Sequence, residues 1–322
     1  MRALAILAAL AAAGCDDVTA ILPDGGGDMA PPFFHAVDAP DANFFAVSGS
    51  SPTNVVMVGS GGAIARWNGQ KLTVESSGTD KDLRGVFVAA DDVAWAVGEQ
   101  GTVVRWNGDH WTVQTSGSTG LLNAVWADRT QMLAVGAKGE ALAFDTKFHA
   151  VVADSPDDLH AVTGGAQGIY AVGTLGTLSK YDGMMLHRTA VSGYSKTLAG
   201  ATTGPGGSWF VGLGGAVYRY DGSPNAVAGV PPVFLRGVAA PGKEVFVVGF
   251  DGLVARLVGA DVVVFGGTPM RSYEGVYAAT SDDVWVVGAS GTVLHSTPAS
   301  GDGGVKAAGD AGAPQDGGGG RG

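Results

Sequence analysis

Six histidines (His35, His110, His149, His160, His187 and His295), a single cysteine, Cys15, and thirty Asp plus Glu residues are the groups through which this chain could do chemistry. A protein zinc site needs ligands that recur at short spacing, such as His-x-His, His-x-x-x-His or paired cysteines. None of these occurs, so no metal is expected. Gly59-Ser60-Gly61-Gly62 and Gly288-Ala289-Ser290-Gly291 look superficially like a serine nucleophile turn, yet that motif needs a strand running into a helix, and both segments sit in a repeated hairpin. No Gly-x-x-x-x-Gly-Lys-Ser/Thr phosphate loop is present, which removes the commonest nucleotide site. The acid pairs Asp91-Asp92, Asp157-Asp158 and Asp282-Asp283 supply carboxylates, and glycoside hydrolysis requires two of them across a sugar. All three pairs fall at connections, where Asp bonds its own backbone, so turn capping is their expected role. The scattered arginines form no cluster for a sialic-acid carboxylate. The expectation is a chain that is not an enzyme, with no catalytic residues and no cofactor.

What must position any site is a repeat. The frame Val-Gly-x-x-Gly starts at Val58, Val97, Val135, Val172, Val211, Val248 and Val287, at spacings of 39, 38, 37, 39, 37 and 39 residues. A β-rich period near forty is the pattern of propeller blades, each a small antiparallel sheet that cannot bury its faces alone. The second copy is the clearest template, with strands over Leu83 to Val88, Val93 to Val97, Thr102 to Trp106 and Trp111 to Thr115. Asp91-Asp92, Gly98-Glu99-Gln100-Gly101 and Asn107-Gly108 provide its turns, the last through the positive φ that Asn-Gly readily takes. The first glycines of the frames, Gly59, Gly98, Gly136, Gly173, Gly212, Gly249 and Gly288, are read as structural hairpin glycines. Three residues before them stand Val56, Trp95, Leu133, Tyr170, Trp209, Phe246 and Trp285, all bulky and suited to fill the space between sheets.

The seventh copy has only three strands before the chain loses its apolar pattern, while Phe33-Phe34-His35-Ala36-Val37 precedes the first copy with no repeat of its own. Pairing that run as the outer strand of the last blade closes the ring and leaves no half-blade with a bare edge. The fold expected is therefore all-β: a seven-bladed β-propeller of four-stranded blades, closed by an N-terminal strand.

Composition agrees. With 46% hydrophobic residues the chain can bury a large core, and 54 glycines point to many tight turns. The net charge of -11 repels a phosphate backbone, so nucleic acid is not an expected partner. Four segments are expected: 1–14 a lipoprotein signal peptide, 15–32 a flexible tether, 33–296 the propeller, and 297–322 a disordered Gly/Asp/Ala-rich tail.

One patterned position remains for function. The second residue of the innermost strand is Phe45, Arg84, Asn123, His160, Ala199, Arg236 and Glu274 in successive copies, between neighbours that are apolar or small. Arg84, Asn123, His160, Arg236 and Glu274 are expected to ring one mouth of the channel. Such a ring either binds a ligand or simply keeps the channel hydrated, and the sequence leaves both readings open.

Three resemblances bear on function. Arg2, the apolar run Ala3 to Ala13 and Ala12-Ala13-Gly14-Cys15 resemble the signal and lipobox of bacterial lipoproteins, which implies cleavage before Cys15, its lipidation, and attachment to a membrane of the cell envelope. The run Val97-Gly98-Glu99-Gln100-Gly101-Thr102-Val103-Val104-Arg105-Trp106-Asn107-Gly108-Asp109-His110-Trp111 resembles repeats of the photosystem II assembly factor family, seven-bladed propellers related to sialidase-type BNR repeats. Only the Gly-turn-Trp part of the BNR box survives in Asn107-Gly108-Asp109-His110-Trp111. The Trp-Asn-Gly wording also resembles uncharacterised repeat lipoproteins of myxobacteria. Together these imply a non-catalytic, lipid-anchored envelope scaffold with a protein partner; a glycan-binding or glycan-cleaving propeller is the alternative. Which membrane carries it is left open.

Overall fold

The computed structural model describes residues 33–190, 194–265 and 271–297. The segments expected to be a signal peptide (1–14) and a tether (15–32), Cys15 included, lie outside the described residues, as does the expected tail apart from Thr297, which ends a strand.

Seven antiparallel sheets follow one another along the chain, six of four strands and one of five. Within each copy of the repeat the strands succeed each other by hairpins, and the first strand of each copy contacts the first strands of the copies on either side. These inner strands are Phe44–Ser51, Leu83–Ala90, Leu122–Ala127, Leu159–Gly165, Leu198–Gly204, Leu235–Ala239 and Tyr273–Ala278. They surround one axis. The protein is a seven-bladed β-propeller, and blades are numbered 1 to 7 by these strands. In blade 2 the strands run Leu83–Ala90, Val93–Gly98, Val103–Trp106 and Trp111–Gln114, so the first is two residues longer than its apolar pattern and Asp91-Asp92 alone makes the turn.

Closure is by the N-terminal strand. Phe33–Ala36 pairs antiparallel with Val293–Thr297, with Phe34 opposite Ser296 and His35 opposite His295. Phe34 is buried among Phe246, Phe265 and Leu294, so the first segment of the ring packs into the joint between blades 6 and 7.

The core lies between the blades. Along Val93–Gly98 the side chains alternate: Ala94 and Ala96 pack against blade 1, Trp95 and Val97 against blade 3. A strand covered on both faces must be apolar throughout, which is why this stretch shows no polar alternation. The bulky residues before the frame glycine fill these joints. Trp95 meets Phe144 of blade 3 at 5.1 Å between ring centroids, Tyr170 meets Tyr220 of blade 5 at 5.1 Å, and Trp285 meets Trp67 of blade 1 at 5.3 Å. Apolar area removed from water here contributes about 25 cal/mol per Å².

The Val-Gly-x-x-Gly frame forms the joint between blades as well as a hairpin. In blade 2, Gln100 (φ 54°) and Gly101 (φ 68°) are both left-handed, and the Thr102 N–H donates to Glu99 O at 3.0 Å, the geometry of a type I′ turn. Gly98 is extended; its glycine identity comes from crowding, because a Cβ there would stand 1.9 Å from Asp82 O. Gly101 meets the next blade: its N–H donates to Gly120 O at 2.5 Å, and a Cβ would stand 2.0 Å from Ser118 O. The corresponding N–H of Gly139, Gly176, Gly215, Gly252 and Gly291 likewise reaches a carbonyl just ahead of the following inner strand. An Asx side chain reinforces three joints: Asp82 accepts the Gly61 N–H, Asp158 the Lys138 N–H, and Asn43 the Ser290 N–H.

Three details differ from the sequence reading. In Asn68-Gly69 and Asn107-Gly108 only the glycine has positive φ; the asparagine side chain instead accepts two backbone N–H groups of the loop, from Gln70 and Lys71 and from Asp109 and His110. Blade 4 gains a fifth strand, Val152–Ala153, parallel to Met185–Ala190. The acids at the connections mostly bind across them: Asp91 accepts from Ser50 and Asn54 of blade 1, Asp92 pairs with Arg129 of blade 3, and Asp283 accepts from Trp285 and contacts His295 within blade 7.

Candidate functional site at the channel mouth

Each inner strand carries a β-bulge at its second residue. The register shifts between Leu83 and Gly85, Leu122 and Ala124, Leu159 and Ala161, Leu198 and Gly200, Leu235 and Gly237, Tyr273 and Gly275, and Phe44 and Ala46. The skipped residues are Arg84, Asn123, His160, Ala199, Arg236, Glu274 and Phe45. A bulge leaves its extra residue outside the ladder and re-aims its side chain. All seven line a channel of about 540 Å³ enclosed by the inner strands. The residue after each bulge is Gly or Ala because neighbouring inner strands converge: a Cβ on Gly85 would lie 2.8 Å from Ala124 Cα.

The bulges lie at the end of the channel that carries the Val-Gly-x-x-Gly turns, here called the turn face. Arg84 binds Asp82 and Glu99, each at 3.0 Å, and its guanidinium carbon lies 4.4 Å over the Phe45 ring of the neighbouring blade. Arg84 Nε is buried without a hydrogen-bond partner. Arg236 donates through Nε to Glu274 at 2.8 Å and lies over Phe234. Asn123 donates to Leu159 O at 2.8 Å. Burial, with Arg236 nearby, holds the His160 imidazole below its ordinary range, so at neutral pH it presents a neutral ring nitrogen. The mouth therefore offers two paired arginines, one carboxylate, an amide and an imidazole, which suits polar recognition of a chain or small solute. At the other end hydroxyls dominate, with Thr163, Thr203 and Ser208 in one hydrogen-bonded line.

The remaining chemistry-bearing residues are dispersed. His187 bridges Asp154 at 3.2 Å and Asp182 at 2.9 Å on the outer edge of blade 4. Backbone N–H groups of Met185 and Met184, with His187, hold the Asp182 carboxyl down to about 2, and the two carboxylates raise the His187 imidazole. His295 stacks on Trp285 at 3.9 Å. Among the described residues, no three His, Cys, Asp or Glu side chains converge as metal ligands would.

Two features escaped the sequence reading. Across from the bulky residue of strand two stands a basic residue of strand three: Trp95 opposite Arg105, Tyr170 opposite Lys180, Trp209 opposite Arg219, Phe246 opposite Arg256. Cations over aromatic rings follow, as with Arg105 at 5.0 Å from Trp95. The signal was a basic residue recurring with the repeat. The second feature is apolar: Leu121, Leu175, Leu213 and Phe250 are exposed on the turn face.

No family model and no curated protein sequence matches the chain. Solved structures do, through the fold. YCF48 bound to D1 peptide aligns over 87% of this chain and 99% of its own at 16% identity and a TM-score of 0.68. YCF48 from Cyanidioschyzon merolae aligns over 82% and 99% at 15% identity, TM-score 0.63. These are photosystem II assembly factors, and the first is seen holding a peptide. A streptogramin B lyase aligns over 81% and 96% at 11% identity, TM-score 0.70. That last likeness corrects one expectation. The chain was expected not to be an enzyme, but an enzyme aligns with most of this fold at a similar TM-score and a lower identity, so the architecture gives no ground for excluding catalysis.

Proposed function

We propose that this propeller is a lipid-anchored protein-interaction or assembly module of the bacterial cell envelope, and that the channel mouth on its turn face receives the partner. The observation that carries the reading is the ring of seven bulges. One backbone irregularity, repeated in every blade, aims seven side chains of six types at one opening, where a purely structural role would be met by one residue type. A solved propeller of similar form holding a peptide supports a protein ligand. A glycan ligand is the second reading; it is less favoured because the ring itself contributes one aromatic side chain, Phe45, for stacking on a sugar face.

The anchoring part rests on Ala12-Ala13-Gly14-Cys15 and its resemblance to a lipobox. Two acyl chains or more hold a protein on a membrane where one is marginal. Replacing Cys15 with Ser is expected to move the protein from the detergent phase to the aqueous phase of a detergent-partition experiment; partition identical to wild type removes the anchor.

The mouth is tested by purifying the full chain from its own envelope beside the Arg84→Ala/Arg236→Ala double variant. A single stoichiometric protein that is retained by wild type and lost from the variant supports the proposal. Equal retention by both moves the site elsewhere, and retention of glycan alone reverses the ligand class.

A further inference from the structure

The apolar residues exposed on the turn face are not scattered. Leu175, Leu213 and Phe250 occupy the frame turns of three consecutive blades, 4, 5 and 6, and they are 62%, 43% and 39% exposed. Between the last two runs the connection Val227 to Phe234, in which every residue is apolar, Gly or Pro. Phe234 meets Phe250 with tilted rings at 5.3 Å between centroids, and the Gly215 N–H donates to Val233 O, so this connection joins the turns of blades 5 and 6. Exposed apolar residues grouped on one face of neighbouring blades mark an interaction surface.

Leu175 adds an independent observation. It stands at φ 54°, in the left-handed region, at the position that Gly61, Gln100, Lys138, Gly214, Asp251 and Ser290 fill in the other blades. Gln100, Lys138, Asp251 and Ser290 bear the same left-handed backbone, so what sets Leu175 apart is its side chain: a branched apolar group left 62% exposed where the other blades place a small or polar one. An exposed apolar residue kept at a strained position is a pointer to use.

We propose that this arc over blades 4 to 6 docks an apolar segment of a partner protein, and that basic residues flank that segment. The proposal rests on the protein-interaction reading above and adds the partner's chemistry. Charge supplies the flanks: on the same face, the loops of blades 1 and 2 carry Asp38, Asp41, Asp80, Asp82 and Glu99 against only Lys81 and Arg84. A segment lying from the arc across the mouth meets carboxylates at its far end. Strand polarity argues against a bilayer as the occupant. Phe33–Ala36 runs toward the turn face and Val293–Thr297 away from it, so the described chain begins and ends at the opposite face, and the lipid proposed on Cys15 would attach on that side. A second copy is opposed by the net charge of -11 on each.

The test uses the full chain and three synthetic fifteen-residue peptides with the same Leu/Phe centre and Lys, Ser or Glu flanks. The arc variant is Leu175→Gly/Leu213→Ser/Phe250→Ser. Leu175→Gly alone serves as the folding control, since it relieves the left-handed strain and is expected to leave the melting temperature equal or higher. Wild type is expected to bind the Lys-flanked peptide best, and the arc variant to bind it at least about tenfold more weakly while melting normally. Binding that survives in the arc variant but is lost in Arg84→Ala/Arg236→Ala overturns the arc and leaves the mouth reading standing. Equal binding of Lys- and Glu-flanked peptides, or of none, overturns the partner chemistry. Self-association abolished by the arc variant, or binding of wild type to anionic vesicles, assigns the arc to those occupants instead and overturns the proposal.

Discussion

Two positions beside the same turn behave oppositely. The frame glycine that ends strand two is identical in all seven blades, whereas the bulged residue beside it, one step into the inner strand, is Phe, Arg, Asn, His, Ala, Arg or Glu. Both belong to the same local geometry: Leu83 pairs with Gly98, and the bulge follows at once. The difference lies in what surrounds them. At Gly98, Gly136 and Gly173 a Cβ would meet a backbone carbonyl at 1.9 Å, so only one residue fits. At the bulge the side chain projects into the channel, and what it packs against, such as Arg84 over Phe45, differs from blade to blade. Uniformity in this ring marks mechanical need, and variety marks the places left free for recognition.

The largest effect is expected where the ring itself is opened. Removing Phe33–Ala36 exposes the edge of Val293–Thr297 and uncovers Phe246 and Phe265, so the truncated chain is expected to lose its cooperative melt; a transition at the wild-type temperature would show that the ring closes without it. Next, Gly136→Ala drives a methyl against Leu121 O and is expected to cost about 3 kcal/mol or more in chemical denaturation. The bulge should be forgiving by contrast. Arg236→Ala breaks a partly exposed pair with Glu274 and is expected to change stability by only about 0–1 kcal/mol, and a loss as large as that of Gly136→Ala would abolish the distinction between the two positions.

The smallest effect concerns pH. Two carboxylates raise the His187 imidazole above its unfolded value, so the stabilisation is complete below that value and fades as pH rises through the folded one. His187→Ala is therefore expected to lower the melting temperature more near pH ~6 than near pH ~8.5, where the two proteins converge. A constant difference across that window would show that the clasp on Val152–Ala153 works without charge.

The sequence displayed the ring and its closure because both depend on backbone demands that only a few residue types meet. Glycine at a crowded turn, Asn or Asp at a loop and an unbroken apolar strand two are each visible one residue at a time. The orphan run Phe33 to Val37 was informative because a blade lacked a strand. The parallel strand Val152–Ala153 was invisible, since two residues carry no period and their partner lies 33 positions away. The acids misled for a related reason: a short-range cap and a bond to the neighbouring blade use the same residue at the same turn. The second residue of the inner strand stood out by its polarity, but that it bulges, and so turns toward the channel, required the register. Leu175 was legible as a leucine among small and polar equivalents and went unremarked, because a single apolar residue in a turn means little until its exposure and φ are known.

The latch between Phe33–Ala36 and Val293–Thr297 also governs when this protein can exist. The earliest part of the ring to be synthesised has no partner until almost the last part appears, an interval of roughly 13–53 s at ordinary translation rates. Throughout that time the growing chain is a row of sheets with a waiting first strand, and the final joining is a contact between segments some 260 residues apart. Until it forms, the seventh sheet keeps a bare edge that another chain could pair with, so the last step of assembly is also the one at which strand exchange competes.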